Sequence, residues 1–179
     1  MNRPGSDGYR FFSTAKVRFC ETDANGHMSH VATILYMEQA RCEYMNELGL
    51  LDRERMLEER KSFYLVSQSV VYKSQAHFND ELKIYMKVSR IGRSSIDMDY
   101  ILFDEQESKV VSTGESTMVY VDTATQKGTN LPDDLFERIE RFETHFFHEG
   151  TKETNDREAS SVKRDTLSEI VSTRSHRHP

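Results

Sequence analysis

Cysteine is scarce in this chain of 179 residues, and the two present, Cys20 and Cys42, have neither a CxxC spacing nor the numbers for a disulfide framework. Free thiols in a reducing compartment are expected, with Cys42 packed inside a helix. No run approaches the ~20 apolar residues of a membrane-spanning helix, and Met1–Gly8 carries no apolar stretch behind its arginine. A soluble, cytoplasmic chain with no membrane partner is expected. Basic charge is not in excess either: 24 Lys and Arg stand against 30 Asp and Glu, a net charge of −6. That balance, without a basic helix-turn-helix pattern, argues against nucleic acid as a partner. Metal-binding signatures are missing as well, since there is no HExxH and no Cys/His cluster. His145, His148, His176 and His178 stand near or in a polar tail, where adventitious metal binding is the expectation, so no metal site is assigned.

What is present organises as one domain, long enough to bury a core without disulfides. Thr14 to Cys20 alternates, with Ala15, Val17 and Phe19 against Lys16 and Arg18, as a half-buried strand does. From His30 to Leu48, Ile34, Met37, Tyr44, Met45 and Leu48 recur near helical spacing, and Gly49 supplies a stop. This is expected to be the one long helix of the domain. After the charged stretch Asp52 to Lys61 come four strand-like runs, Phe63–Ser74, Leu82–Ile91, Ser94–Phe103 and Val110–Val121. Leu82, Ile84, Met86 and Val88 share one face of their run, as do Ile96, Met98, Tyr100 and Leu102. The short polar breaks at Asn79-Asp80, Gly92-Arg93 and Asp104–Ser108 predict antiparallel hairpins. The fold class is α+β: a curved antiparallel five-stranded sheet wrapped around one long central helix. The amphipathic segment Pro132–Phe147 is expected on the outside or at a subunit contact. The domain is placed at 9–148 and a polar, disordered tail at 149–179.

Chemistry concentrates in Arg18-Phe-Cys-Glu-Thr-Asp-Ala-Asn-Gly-His-Met-Ser-His30, which runs directly into the helical pattern. A helix N-terminus offers unpaired N–H groups and the positive end of the helix dipole, and so can polarise a carbonyl or hold an anion. Asp23, just upstream, can act as base or nucleophile, or serve only as a turn residue or distal cap. Asn25-Gly26 suits a tight turn with positive φ, and His27 can satisfy a backbone carbonyl or reach a ligand. By position, the backbone N–H of His30 is a candidate oxyanion donor. Glu38, on the helix with Ile34, Arg41 and Met45, is either ion-paired with Arg41 or a functional carboxylate. Arg90, Arg93 and Ser94 flank Gly92 in a turn that can clamp a phosphate or merely carry solvated charge.

The run Glu21-Thr-Asp-Ala-Asn-Gly-His-Met, with Tyr36-Met-Glu-Gln-Ala-Arg41 and Leu48-Gly-Leu50, resembles hotdog-fold thioesterases of the 4-hydroxybenzoyl-CoA thioesterase type. The similarity extends more weakly to about Asp122. The Asp-x-Asn-x-His spacing is also similar to the motif of acyl-carrier-protein thioesterases. The resemblance implies a hotdog fold and hydrolysis of an acyl-CoA thioester to free acid and coenzyme A. Asp23 matches the family's loop carboxylate, acting as nucleophile or general base. Asn25 would orient water or the acyl carbonyl, His27 would bond the thioester or departing thiolate, and His30 would supply the oxyanion N–H. Gly26, Glu38, Arg90, Arg93 and Ser94 would bind substrate, with the two arginines toward the nucleotide of CoA. No cofactor is required, because coenzyme A belongs to the substrate. A homodimer or homotetramer is implied, and an exposed strand edge needs such cover on physical grounds. The rival expectations are a hotdog enoyl-CoA hydratase and a non-catalytic acyl-CoA-binding protein.

Overall fold

The computed structural model describes the backbone of residues 8–150 and the side chains of residues 8–143. The expected tail, with its histidines, lies outside these side chains. In chain order the elements are β1 (Phe11–Lys16), a 3-10 turn (Phe19–Glu21), α1 (His30–Glu47), α2 (Arg53–Glu59), β2 (Lys61–Tyr72), β3 (Glu81–Ile91), β4 (Ser95–Asp104), β5 (Lys109–Asp122), β6 (Lys127–Gly128) and α3 (Leu135–Gly150). The sheet is antiparallel in the order β1-β3-β4-β5-β2, with the two-residue β6 paired to β5 as a sixth strand.

β3 and β4 form where their period-2 patterns predict, and Leu82, Ile84, Met86, Ile96, Met98, Tyr100 and Leu102 are all essentially buried. α1 lays Ala32, Tyr36, Met37, Ala40, Tyr44 and Met45 onto that core. Met37 sits so close to β5 that a Cβ at Gly114 would lie 2.5 Å from its Cε and 2.9 Å from the Ser69 carbonyl oxygen. The helix closes after Glu47 with Gly49 N–H bonded to Asn46 O and Leu50 N–H to Met45 O.

Several expectations are corrected. The first strand lies earlier than Thr14–Cys20, because its ladder ends at Lys16 opposite Glu81 and the chain then bends, leaving Phe19 77 % exposed. The break at Asn79-Asp80 is not a hairpin: β2 crosses to pair with β5 and leaves β3 to β1. The charged stretch after Asp52 holds α2, which starts on the Asp52 carboxylate accepting the N–H groups of Glu54 and Arg55. The body therefore has more than one helix. α3 does not sit outside the core, since it buries Leu135 and Ile139 and packs Phe142 against Tyr44. Cys42 is exposed rather than packed, on the outer face of α1.

The register also sets two ends. The loop between β1 and α1, the segment before β3 and the β4–β5 turn cluster at one end, and the β3–β4 turn and the start of β2 lie at the other. β3 alone separates the two ends by about 30 Å at ~3.3 Å per residue.

Candidate active site

Residues 21–30 form a miniature hairpin that delivers the chain to α1. Thr22 pairs with Met28 across it, and His27 pairs in turn with His77. The Asp23 N–H donates to the His27 carbonyl at 2.8 Å, and the Gly26 N–H donates to the Asp23 carbonyl at 3.0 Å. Gly26 has φ +78°, the left-handed turn conformation expected of Asn25-Gly26. Asp23 plays the turn role in full: its Oδ1 accepts from the N–H groups of Asn25 at 2.8 Å and His27 at 3.2 Å. Its Oδ2 has no partner among the described residues, and the residue is exposed. One carboxylate oxygen thus fixes the turn while the other faces solvent.

The hairpin ends at Ser29, which caps α1 by accepting the Val31 N–H on its side chain at 3.3 Å and the Ala32 N–H on its carbonyl at 3.0 Å. The backbone N–H of His30 has no acceptor among the described residues, at the positive end of an 18-residue helix. Its imidazole is exposed. The Tyr72 hydroxyl, from the end of edge strand β2, donates to the His30 carbonyl at 3.3 Å and fixes the helix start against the sheet.

Asp23, Asn25, Gly26, His27 and His30 are thereby brought together. His77 joins them unforeseen: its ring meets that of His27 edge to face at 5.4 Å, and its backbone N–H donates to the Asp80 carboxylate at 2.7 Å. No sequence spacing marks it, because it reaches the site by cross-strand pairing from fifty residues downstream.

Glu38 and Arg41 do not pair. Glu38 faces outward, whereas Arg41 is buried with its Nη1 donating to Gln68 Oε1 at 3.2 Å and to the Tyr100 hydroxyl at 3.5 Å. Three residues turn the helix by about 300°, about 60° short of a full turn, and that offset is enough to carry Arg41 under the sheet while Glu38 stays in solvent. Arg90, Arg93 and Ser94 stand at the opposite end of the sheet from Asp23 within one chain. Arg90 Nε donates to Asp97 Oδ2 at 2.6 Å, the Arg93 side chain is exposed, and the Ser94 carbonyl accepts the Tyr120 N–H. A shallow depression lined by Gly49, Arg55, Phe63 and Tyr120 also lies at that far end. Among the described residues no three His, Cys, Asp or Glu side chains converge as metal ligands, and no helix is long and apolar enough to cross a membrane.

Comparison with known proteins bears on what such a loop does. Residues 17–139 match the Thioesterase-like superfamily. The chain belongs to that superfamily. It is 34 % identical over 132 residues to protein YsmA of Bacillus subtilis (strain 168), covering 73 % of this chain and 86 % of that protein. It is 25 % identical to the long-chain acyl-CoA thioesterase FadM of Escherichia coli (strain K12), covering 70 % of this chain and 94 % of the other. The crystal structure of a 1,4-dihydroxy-2-naphthoyl-CoA thioesterase from Synechocystis superposes with a TM-score of 0.65 at 16 % identity, covering 72 % and 94 % of the two chains. These neighbours have the thioesterase-like hotdog fold, and this member's curved antiparallel sheet and α1 are of the same kind. Membership supports thioester hydrolysis in general terms.

Proposed function

We propose that this protein hydrolyses an acyl-CoA thioester to a free carboxylic acid and coenzyme A. The observation that carries the reading is the placement of an exposed carboxylate, with Oδ2 unengaged, on the loop that leads into a helix whose first N–H is unpaired. Such a site puts a base or nucleophile and an oxyanion donor on one short segment. Asp23 either removes a proton from water, which attacks the acyl carbon, or attacks that carbon itself. The carbonyl oxygen gains negative charge and turns toward the His30 N–H, the C–S bond breaks, and the thiolate takes a proton. By the second route the resulting anhydride is hydrolysed by water. His27, with His77 beside it, stands where the departing sulfur can be protonated, and Asn25 at the turn tip orients the water or the carbonyl. On this reading the enzyme is of the 4-hydroxybenzoyl-CoA thioesterase type, which the Glu21–Met28 motif resembles, and it works in the cytoplasm without a cofactor.

A dimer completes this reading. Tyr64, Leu65, Val66, Val71 and Tyr72 on edge strand β2 are 40–59 % exposed, and Val31 and Leu35 on α1 are nearly half exposed. Pairing β2 antiparallel with its copy covers this edge. It sets the Lys61 end of one strand against the Tyr72 end of the other. The partner's β3–β4 turn then comes to the same side as Asp23, an arrangement that lets Arg90, Arg93 and Ser94 meet the CoA phosphates. Glu38, exposed on α1, faces this substrate-bearing side.

Release of free thiol from aromatic, short, medium and long acyl-CoA thioesters, with wild type beside Asp23→Asn, tests the proposal. Turnover by the wild type that falls about 10²–10⁴-fold in the variant supports it. Binding without cleavage across the panel would overturn it in favour of an acyl-CoA-binding role, and hydration of an enoyl-CoA in favour of a hydratase.

A further inference from the structure

Among the described residues Glu21 is a buried carboxylate directly under the Asp23 hairpin that the chemistry above does not use. It is 7 % exposed. Its Oε2 accepts from the Tyr36 hydroxyl at 2.5 Å and from the Arg18 backbone N–H at 2.9 Å, and its Oε1 accepts from Arg18 Nη2 at 2.5 Å. Its own carbonyl accepts the Ser29 N–H at 2.7 Å, closing the base of the 21–29 hairpin. Tyr36 is 8 % exposed on the core face of α1, two turns in from His30. One residue thus holds both strands of the hairpin by its backbone and the helix by its side chain. A surface turn would be content with the Asx bonds of Asp23. Burying a charge under that turn, with a phenol and a guanidinium devoted to it, is costly unless the turn must keep a fixed place relative to the helix.

We propose that Glu21, through Tyr36, is the positioning residue that fixes the Asp23 carboxylate relative to the N-terminus of α1. Neither residue touches the reacting atoms. The hydrogen bond from Tyr36 sets the height of the hairpin along the helix, and the ion pair with Arg18 sets its tilt from the β1 side. Removing the Tyr36 hydroxyl leaves Glu21 held from one side only, so the Asp23 turn keeps its internal bonds but loses its registration to His30. The physical environment agrees with a permanently charged brace: the Arg18 contacts hold the Glu21 carboxyl down to about 2, and burial beside that carboxylate pushes the Tyr36 hydroxyl well up.

The inference rests on the hydrolase reading for its kinetic consequence but not for its structural one, so Tyr36→Phe is examined in two ways. Amide hydrogen exchange of the full chain should quicken about tenfold or more across residues 22–30 while β3 and β4 keep their protection. Unchanged exchange in that segment, or equal quickening everywhere, would overturn the brace whatever the protein catalyses. On the acyl-CoA thioester turned over by the wild type, kcat should drop about 10- to 100-fold with KM within twofold. A normal kcat in a variant with a loosened hairpin would overturn the positioning role while leaving hydrolysis intact, provided Asp23→Asn is inactive. Wild-type inactivity on every thioester defeats the hydrolase reading, and the exchange result then decides the brace alone. Glu21→Gln keeps an acceptor for Tyr36 and should retain more activity than Glu21→Ala, whereas equal losses would count against the brace.

Discussion

Met37 on α1 occupies the space that any side chain at Gly114 on β5 would need: a Cβ there would meet Met37 Cε at 2.5 Å, Met37 Sδ at 2.8 Å and the Ser69 carbonyl at 2.9 Å. The thioether can swing aside, but the neighbouring strand's carbonyl cannot. Gly114→Ala should therefore destabilise by about 1–3 kcal/mol, as overpacked cores do. Thermal and urea unfolding of the variant beside the wild type measures this, and an unchanged midpoint would show that α1 lifts off the sheet without cost.

Acid should act on the same domain through Glu21. Its carboxyl is held at about 2 in the folded chain against an ordinary value of 4.5. A lowered folded value means that the unfolded chain binds the proton first as pH falls. The stabilisation is whole above about pH 5 and is lost progressively between about 4.5 and 2. Unfolding free energy across that window should fall less steeply in Glu21→Gln than in the wild type, and parallel slopes would mean that other carboxylates govern acid unfolding.

How much of this could be read from residue order alone depends on the range of the contacts. β3 and β4 were legible because they pair with each other across a short turn and their alternation reports one buried face. α1 was legible from its spacing and from Gly49. The placement of β2 was not, since its partner β5 lies beyond two intervening strands and only the sheet's connectivity assigns it. α3 reads as amphipathic, but its apolar face is turned inward by Tyr44, whose hydroxyl bonds Glu143 at 2.8 Å across a long stretch of sequence. At the site, the local turn Asp23–His27 follows from its own residues. His77 and the Glu21–Tyr36 bond are tertiary, and spacing alone leaves a Glu38–Arg41 pair open because it does not say which face of α1 the sheet covers.

The uncovered edge of β2 gives a prediction about assembly. Val66 stands at the bulge between Leu65 and Ser67 and is 59 % exposed. If β2 pairs with its copy, Val66→Lys sets two like charges at the seam. Light scattering should then report a monomer where the wild type is a dimer or larger, with the melting temperature of the isolated fold little altered. A wild type that is already monomeric would remove the assembly from the proposed mechanism.

The β3–β4 turn tests the same geometry from the substrate's side. Arg93 is exposed and Arg90 is shared with Asp97, so Arg93 is the freer of the two to meet a phosphate. Arg93→Ala should raise KM for an acyl-CoA about tenfold, the cost of one charge-assisted contact, with kcat little changed. The same acyl group on pantetheine, which lacks the nucleotide, should show no such difference between variant and wild type. Arg90→Ala should move KM less, and part of its effect should appear as lost stability at Asp97, which keeps only the Thr117 hydroxyl as a side-chain donor. An equal KM rise on both thioesters would mean that the turn shapes the site rather than reading the phosphates. No rise on either would place the nucleotide elsewhere on the dimer, because within one chain this turn and Asp23 are separated by the full length of β3.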